Sequence, residues 1–250
     1  MWIPWWRLCC RTRAATYVGP DGAHRDVTAA APLPPQPASH VRLVLVSDTH
    51  GKMDLADVPP GDVLAHCGDV LARNGKASCA SATSLLRGFH RQLQALPHPH
   101  KVFIGGNHDA VLEMLGAERV RAMMPGVTYL EHSGATVAGL RLWGFPYSPP
   151  SASANSAFQE RDPAKLAAAA AAVPTDTHVL LSHCAMGTSS IARMMTRVGP
   201  NLRLHVMGHF HDRHGVWRGD AGELTVNAAT CDNVYRPVHG AVVVDVPVDA

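Results

Sequence analysis

The sequence lacks any apolar run long enough to cross a membrane. No stretch approaches the roughly 18 consecutive apolar residues that predict a transmembrane helix. Only 17% of the 250 residues are charged, and the formal net charge is +2. Because lysine and arginine do not gather in a basic patch, we expect no site for duplex nucleic acid. At 46% hydrophobic residues, the chain suits a globular protein with one large domain or two small ones.

The cysteines lack a pattern. A chain long enough to bury a core needs no disulfide framework, and a structural thiolate zinc site needs clustered cysteines. Neither is expected here, because no CxxC pair occurs and the spacing is irregular. We therefore expect a reducing compartment, the cytoplasm. The six cysteines are Cys9, Cys10, Cys67, Cys79, Cys184 and Cys231.

Residues 1–40 differ in composition from the rest of the chain. The stretch MWIPWWRLCCRTRAATYVG contains tryptophans and arginines but no acidic residue, and APLPPQPAS is a proline-rich linker. One interpretation is a disordered tail. The other is a segment that targets an organelle or touches a membrane surface through Trp2, Trp5 and Trp6. We predict an N-terminal extension over residues 1–40 and a single domain over residues 41–250.

From Val41 onwards, predicted strands alternate with predicted helices. This alternation favours an α/β fold with helices packed outside one or two sheets. The segment at 147–162 is a long loop, and loops of that length often line a site. Helices are expected at about 80–95, as one helix through the VLEML and ERVRAMM stretches, after Asp162, and at 189–199. Strands are expected at 41–47, 62–67 and 101–105, two or three times within 128–146, and at 177–183, 202–208 and twice more before the C-terminus.

Polar side chains follow five of these strands at the points where the strands end. The carboxyl ends of strands in open α/β sheets are where ligands bind. One Asp or Asn after a strand commonly starts a turn, but the same arrangement at five strand ends indicates a shared site. The 16 histidines of the chain also favour a metal site. The candidates are Asp48 and His50 in SDTHG, Asp69 in CGDV, Asn107, His108 and Asp109 in GGNHD, His183 in SHC, and His209 and His211 in GHFH.

The chemistry of these side chains indicates the kind of metal. A mixed set of carboxylates, an amide and imidazoles suits Mn²⁺, Fe²⁺, Zn²⁺ or Co²⁺. Without His108 and Asp109, seven candidate ligands remain, which is too many for one ion. Two ions about 3.5–4 Å apart with a shared carboxylate can use all seven. Such a pair stabilises the entering and leaving oxygens at phosphorus and lowers the pKa of a bridging water.

The ordered blocks D-x-H, G-D, G-N-H-D, H and G-H-x-H resemble the calcineurin-like metallophosphoesterase superfamily, from about Val41 to the C-terminus. SDTHG, HCGDV, LWGFPYSP, LHVMGHFH and TVNAATCDNVYRPV further resemble the metallophosphoesterase-domain-containing (MPPED) subfamily, which is related to bacterial class III cyclic-nucleotide phosphodiesterases. The resemblance implies a four-layer αββα sandwich, in which two mixed β-sheets are flanked by helices.

The same resemblance implies a role for each candidate. One metal ion would be bound by Asp48, His50 and His211. The second would be bound by Asn107, His183 and His209, with Asp69 bridging the two. His108 would be the general acid for the leaving alkoxide, and Asp109 would orient it. Two divalent ions are expected as cofactors, Mn²⁺ first, with Fe, Zn or Co as alternatives.

The implied function is hydrolysis of small phosphodiesters, with cyclic nucleotides first among the expected substrates. The stretch GDVLARNG has Ala72 where the protein phosphatases of the superfamily carry a second Asp, which disfavours a phosphoprotein substrate. A homodimer is left open by the sequence. Two alternative functions also stay open: a broad phosphomonoesterase, and a nucleotide-binding or scaffold protein of low activity. Some animal members of the subfamily have Gly where His209 stands, so the presence of both histidines in GHFH favours an enzyme.

Overall fold

The computed structural model of the chain describes residues 14–19, 22–28, 31–53, 58–71, 79–151, 155–184, 188–219 and 222–249. The tryptophan-rich segment before residue 14, and Ala72, lie outside the described residues. The helices are α1 (Cys79–Gln94), α2 (Ala110–Leu115), α3 (Ala117–Met123), α4 (Pro163–Ala172) and α5 (Ser189–Val198). The strands are β1 (Thr16–Val18), β2 (His24–Asp26), β3 (His40–Val46), β4 (Val63–Cys67), β5 (His100–Ile104), β6 (Thr128–Tyr129), β7 (Ser133–Val137), β8 (Leu140–Phe145), β9 (Val179–Ser182), β10 (Leu204–Met207), β11 (Gly215–Arg218), β12 (Leu224–Asn227) and β13 (Val242–Pro247).

The first sheet is mixed and has the strand order β2-β1-β13-β3-β4-β5-β6. Strands β3, β4, β5 and β6 run parallel, whereas β13 is antiparallel to β3. The apolar run in β3 reflects burial on both faces. Leu43 and Leu45 point to one core cluster, whereas Val44 and Val46 point to another, as the two-residue period of a strand requires.

The second sheet is also mixed, with the order β11-β12-β10-β9-β8-β7. Its four central strands are parallel, and β7 and β11 are antiparallel strands at its two edges. The carboxyl ends of β9 and β10 therefore emerge at the same edge of this sheet. This is where the predicted ligands of the SHC and GHFH stretches follow.

Three core clusters define four layers. The middle cluster joins the sheets, for example Leu43 of β3 with Val179 of β9. Helices α1–α3 cover the outer face of the first sheet, where Leu86 of α1 is fully buried. Helices α4 and α5 cover the outer face of the second sheet around Leu180. Each fully buried side chain of this size contributes about 1.5–3 kcal/mol of hydrophobic free energy. The predicted four-layer αββα sandwich is confirmed.

Two short strands extend the first sheet before the predicted domain start at residue 41. Strand β1 pairs in parallel with β13, and β2 pairs antiparallel with β1, so both belong to the first sheet. The buried Tyr17 donates its hydroxyl hydrogen to Asp245 Oδ2 at 2.9 Å, and Arg42 pairs with the same carboxylate at 2.7 Å. The described part of residues 1–40 is thus held to the domain by a buried network, which composition did not reveal.

Local signals place the helices next to the second sheet. Asp162 accepts from the Ala164 backbone N–H at 2.8 Å, and Pro163 begins α4, as an N-cap followed by proline predicts. Thr188 caps α5 in the same way, and Gly199 follows its last residue. Of the helices in the described ranges, none combines the length and apolar composition that a membrane crossing requires.

Candidate metal centre

The predicted site residues meet at one end of the sandwich, where the carboxyl ends of β3, β4, β5, β9 and β10 converge. Four of these residues have left-handed backbones: φ is 53° at Asp48, 45° at His50, 54° at Asp69 and 69° at His209. Each such residue costs about 1–2 kcal/mol relative to a right-handed backbone. Strain of this kind persists where surrounding contacts fix the geometry, and it is typical of functional sites.

Two glycines make the close approach of the strand ends feasible. A Cβ on Gly208 would lie 2.1 Å from Asp48 Oδ2, and a Cβ on Gly106 would lie 2.3 Å from Asp69 Oδ1. Any larger residue would therefore displace one of the two buried carboxylates. Glycine before His209 thus lets the end of β10 approach Asp48 of the first sheet, and glycine before Asn107 lets the end of β5 approach Asp69 of the same sheet.

The first group of predicted ligands consists of Asp48, His50 and His211. The Nε2 atoms of the two histidines are 3.4 Å apart, and His211 Nε2 lies 3.2 Å from Asp48 Oδ1. Asp48 Oδ2 accepts the backbone N–H of His209 at 2.9 Å, which ties the first sheet to the GHFH stretch. The second carboxylate oxygen is thereby left to face the imidazoles.

The second group consists of Asn107, His183 and His209. The side-chain oxygen of Asn107 lies 3.0 Å from His183 Nε2 and 2.9 Å from His209 Nδ1. Asp69 stands between the two groups, because its Oδ2 is 3.7 Å from His50 Nε2 and 3.4 Å from His183 Nε2. This is the position that a bridging carboxylate needs.

The donor set fits divalent metal ions. Ligand atoms about 2.0–2.2 Å from a shared ion stand about 3.0–3.6 Å from one another, which matches the spacings within both groups. Among the described residues, three trios of carboxylate and imidazole side chains each bring one oxygen or nitrogen atom per residue within 4.8 Å of the other two. They are Asp48, His50 and His211; His50, Asp69 and His108; and Asp48, Asp69 and His183.

Two histidines are oriented for ligation by backbone carbonyls. His183 Nδ1 lies 2.8 Å from the carbonyl oxygen of Cys67, and His211 Nδ1 lies 2.9 Å from that of Asp232. A carbonyl oxygen only accepts, so Nδ1 carries the proton in both rings. The Nε2 of each ring then points into the centre and would supply its lone pair to an ion that displaces any proton there, the arrangement typical of metal-binding histidines.

The buried charges also call for a cation. Burial opposes the charge on His183, but the carboxylates of Asp69 and Asp48 outweigh it and raise the His183 pKa to about 10. In turn, burial acts to raise the pKa of Asp69, but His183 dominates and holds it below its ordinary value. Burial also lowers the pKa of His50 and His209 to about 4, so both rings are neutral near pH 7. Metal ions require this deprotonated state.

His108 lies beside both groups at the surface of the centre. Its Nε2 is 3.8 Å from Asp69 Oδ2, and the side-chain amide nitrogen of Asn155 lies 2.8 Å from the same atom. Burial lowers the pKa of His108, partly offset by Asp69. The ring thus lies at the edge of the centre, between the Asp69 carboxylate and the Asn155 amide.

Asp109 has a different role from the one expected. Its carboxylate accepts the backbone N–H groups of Val70, Leu71 and Gly106 at 3.2, 3.0 and 2.9 Å. The predicted contact with the His108 ring is replaced by the amide of Asn155. Burial and the charge of Asp69 raise the pKa of Asp109 to about 7, against the three N–H donors. Asp109 therefore fixes the two loops that carry Asp69 and Asn107.

Sequence reasoning missed Asn155, Asp232 and Tyr235 as residues of the site. Asn155 belongs to the long loop at 147–162, so the length of that loop was a signal. Asp232 and Tyr235 follow β12 in an irregular segment, and no spacing or alternation marks them. Their place depends on tertiary contacts with His211 and His50.

A four-layer αββα fold with a ligand-rich edge of Asp, Asn and His defines a metal-dependent phosphoesterase. Residues 41–213 match the family described as calcineurin-like phosphoesterase. The match covers more than half of the chain, and the chain belongs to this family.

Within the family, the chain is similar to several curated proteins. The chain is 29% identical to human metallophosphoesterase domain-containing protein 1 over 248 residues, covering 85% of this chain and 73% of the relative. It is 30% identical to a UPF0046 protein of Caenorhabditis elegans over 245 residues, covering 83% and 81%. A second UPF0046 protein of that organism is 29% identical over 218 residues, covering 77% and 71%. The predicted resemblance to the superfamily and to the MPPED subfamily is confirmed.

Proposed function

We propose that this chain hydrolyses small phosphodiesters, with cyclic nucleotides as the first candidates, at a centre of two divalent metal ions. The proposal is supported chiefly by Asp69, whose carboxylate lies between one group of three predicted ligands and another. Asp48, His50 and His211 would hold one ion, and Asn107, His183 and His209 the other. Mn²⁺ is the first choice because oxygen and imidazole donors are mixed.

When bound, the two ions supply Lewis acidity at phosphorus and make water available as a nucleophile at neutral pH. The protein residues do the rest. Asp109 holds the loops of Asp69 and Asn107 in place through three backbone bonds. The carbonyls of Cys67 and Asp232 keep the rings of His183 and His211 aimed inward.

His108 would donate the proton that a leaving alkoxide needs. Burial lowers the pKa of the free His108 ring, so the role depends on the anionic phosphoryl group of a substrate to favour the protonated form. Its partial exposure, 14% for the side chain, permits exchange of that proton with water. The side-chain amide of Asn155 would donate to Nε2 and orient the ring while that nitrogen is unprotonated.

Metal restoration tests the proposal. The full chain is stripped with a chelator and assayed with and without Mn²⁺ against bis-p-nitrophenyl phosphate, 2′,3′-cAMP, 3′,5′-cAMP and the monoester p-nitrophenyl phosphate. We expect Mn²⁺ to restore diester hydrolysis, with a smaller effect on the monoester. Hydrolysis of the monoester alone would favour the phosphomonoesterase, and no restored hydrolysis of any diester would overturn the proposal.

A ligand variant and a matched histidine variant complete this experiment. His209→Gly removes a nitrogen that lies 2.9 Å from the Asn107 oxygen, and should lower both metal content and rate. His24→Gln replaces an exposed histidine of the edge strand β2, so metal content and rate should both stay at their wild-type values. If His209→Gly keeps full metal content and rate, His209 is not a ligand.

A further inference from the structure

Tyr235 is the aromatic residue that lies over the predicted metal centre. Its ring centroid is 4.7 Å from that of His50, 5.6 Å from that of His211 and 5.8 Å from that of His108. The ring planes stand at 89°, 88° and 67° to the three imidazoles. One tyrosine therefore contacts two predicted ligands of the first group and the predicted general acid.

The turn that carries Tyr235 is connected to the predicted ligand His211. The carbonyl oxygen of Asp232 accepts from His211 Nδ1 at 2.9 Å and also from the backbone N–H of Tyr235 at 2.8 Å. A shift of the Tyr235 backbone would therefore disturb the acceptor that orients His211. The turn is a part of the centre and not a separate surface loop.

Further bonds hold this turn in a strained form. The Asp232 carboxylate accepts the backbone N–H groups of Val234 and Arg236 at 3.1 and 2.8 Å. Lys52, two residues after His50, donates to the carbonyl oxygen of Tyr235. Tyr235 itself has φ of 60°, a left-handed conformation that disfavours a bulky residue. The fold thus keeps a large aromatic side chain at a position where glycine or asparagine would cost less.

The Tyr235 ring is nevertheless only partly covered. Tyr235 keeps 40% of its surface exposed, although it contacts three buried or half-buried imidazoles. A residue that served only to shield the ligands would bury more of its ring. The exposed part of Tyr235 is therefore accessible to a molecule that approaches the centre from solvent.

We propose that Tyr235 is the substrate-contact residue that selects a planar aromatic group, such as a nucleobase, in the phosphoester bound at this centre. The proposal rests on the proposed function. Because His108 would protonate the leaving oxygen, the organic group attached to that oxygen would come within reach of the Tyr235 ring, whose centroid is 5.8 Å from that of His108. A base stacked on an aromatic side chain gains about 5- to 150-fold in affinity, enough to distinguish a nucleotide from a simple sugar phosphate.

Binding of product-like ligands tests this without requiring turnover. The chain loaded with Mn²⁺ is titrated calorimetrically with 5′-AMP and with ribose 5-phosphate, which share the phosphate and the sugar. Inorganic phosphate serves as a third ligand. We expect wild type to bind 5′-AMP about tenfold more tightly than ribose 5-phosphate. The ratio of the two dissociation constants isolates the contribution of the base.

Three substitutions at Tyr235 separate stacking from packing. Tyr235→Phe keeps the ring and should keep the ratio, whereas Tyr235→Ala and Tyr235→Leu should bring it close to one. Val234→Ala is the matched control on the same turn, since Val234 is 64% exposed, and should leave the ratio at its wild-type value. Metal content of each variant is measured, so that loss of the centre is distinguished from loss of the contact.

The outcomes distinguish this proposal from the proposed function. A wild-type ratio of one, or a ratio that Tyr235→Ala leaves unchanged while phosphate still binds, overturns the role of Tyr235 alone. An equal loss of affinity for all three ligands in Tyr235→Leu assigns the residue to packing and also overturns it. If inorganic phosphate itself does not bind the Mn²⁺-loaded chain, the proposed function fails, and this proposal fails with it.

Discussion

His108 is held differently from His183 and His211. His183 and His211 each donate Nδ1–H to a backbone carbonyl, which fixes the proton and the ring. The contact that orients His108 is the side-chain amide of Asn155, 2.8 Å from Nε2. A ring whose proton is not fixed by a carbonyl can gain and lose it, as a general acid must.

Replacement of His108 by alanine should therefore slow some esters much more than others. An ester with a poor leaving group, such as 3′,5′-cAMP, needs the proton, and its rate should fall about 10²- to 10⁴-fold. Bis-p-nitrophenyl phosphate releases an anion that needs no proton, so its rate should fall far less. The measurement is kcat/KM on both esters, with metal content as the control for an intact centre. An equal loss on both esters would argue against the general-acid role.

At the residue scale, the sequence predicted the side chains that follow regular strands. Asp48 and His183 could be found because the apolar run before each one has a clear end. The partner of Asp109 could not be predicted, because its carboxylate bonds to backbone N–H groups of a loop 39 residues away. Tyr235 was missed for a similar reason, since hydrogen bonds to Asp232 and Lys52 set its position.

Among the elements, β1 shows how a short segment joins the first sheet. The strand has three residues and pairs with β13. Its anchor is the Tyr17 hydroxyl, which donates to Asp245 Oδ2, while Arg42 Nε donates to Oδ1 of the same carboxylate at 2.8 Å. If the Tyr17 hydroxyl is removed, the buried Asp245 carboxylate keeps its charge but loses one of its hydrogen bonds.

Tyr17→Phe should therefore lower the free energy of unfolding by about 1.5–3 kcal/mol, the range for hydrogen bonds to charged groups. Urea denaturation of the metal-free chain measures the change. His24→Gln, on the neighbouring strand and exposed, serves as the control and should stay within about 0.5 kcal/mol of wild type. If Tyr17→Phe behaves like the control, the hydroxyl does not anchor β1.

The long elements were predictable and the short ones were not. The observed β3, Cys79–Gln94 helix and β9 lie within one or two residues of the predicted ranges, because their apolar patterns extend over several turns or pleats. Strands β1 and β2 have three residues each, and β2 is exposed throughout. Their sequence carries almost no periodicity, so the pairing with β13 decides their conformation. Strands β1 and β2 therefore lie before residue 41, where the predicted domain begins.

At the scale of the whole molecule, both sheets are buried on two faces, and polar residues are buried with them. His205 of β10 is 3% exposed, and its Nε2 lies 2.8 Å from Ser182 Oγ. Burial alone lowers the pKa of His205 to about 4. The fold therefore requires this histidine to stay neutral.

Because folded His205 stays neutral, the free energy of unfolding should depend on pH. An unfolded histidine has a pKa near 6.5, so the unfolded chain binds a proton between pH 6.5 and 4 that folded His205 does not. Stability is therefore complete above pH 6.5 and is lost as the pH falls towards 4, by up to ~3 kcal/mol for this residue. His205→Gln removes the group that titrates. Between pH 6.5 and 4 the free energy of unfolding of this variant should therefore fall by up to ~3 kcal/mol less than that of wild type.

Urea denaturation of the metal-free chain from pH 7 to pH 4 measures this dependence. The free energy of unfolding of His205→Gln should rise relative to that of wild type as the pH falls. That of His24→Gln should change with pH as wild type does. A constant difference between His205→Gln and wild type would show that folded His205 binds its proton as readily as the unfolded residue does.

The left-handed backbone of His209 bears on how such a centre is lost over evolution. At φ of 69°, glycine is the replacement that relieves the most backbone strain, about 1–2 kcal/mol, yet it provides no ligand. The substitution that disables the second group of ligands is thus one that the fold tolerates well, so a lineage can lose catalysis without losing the folded protein. Selection for stability alone would favour glycine at this position, because glycine adopts this backbone conformation without steric cost.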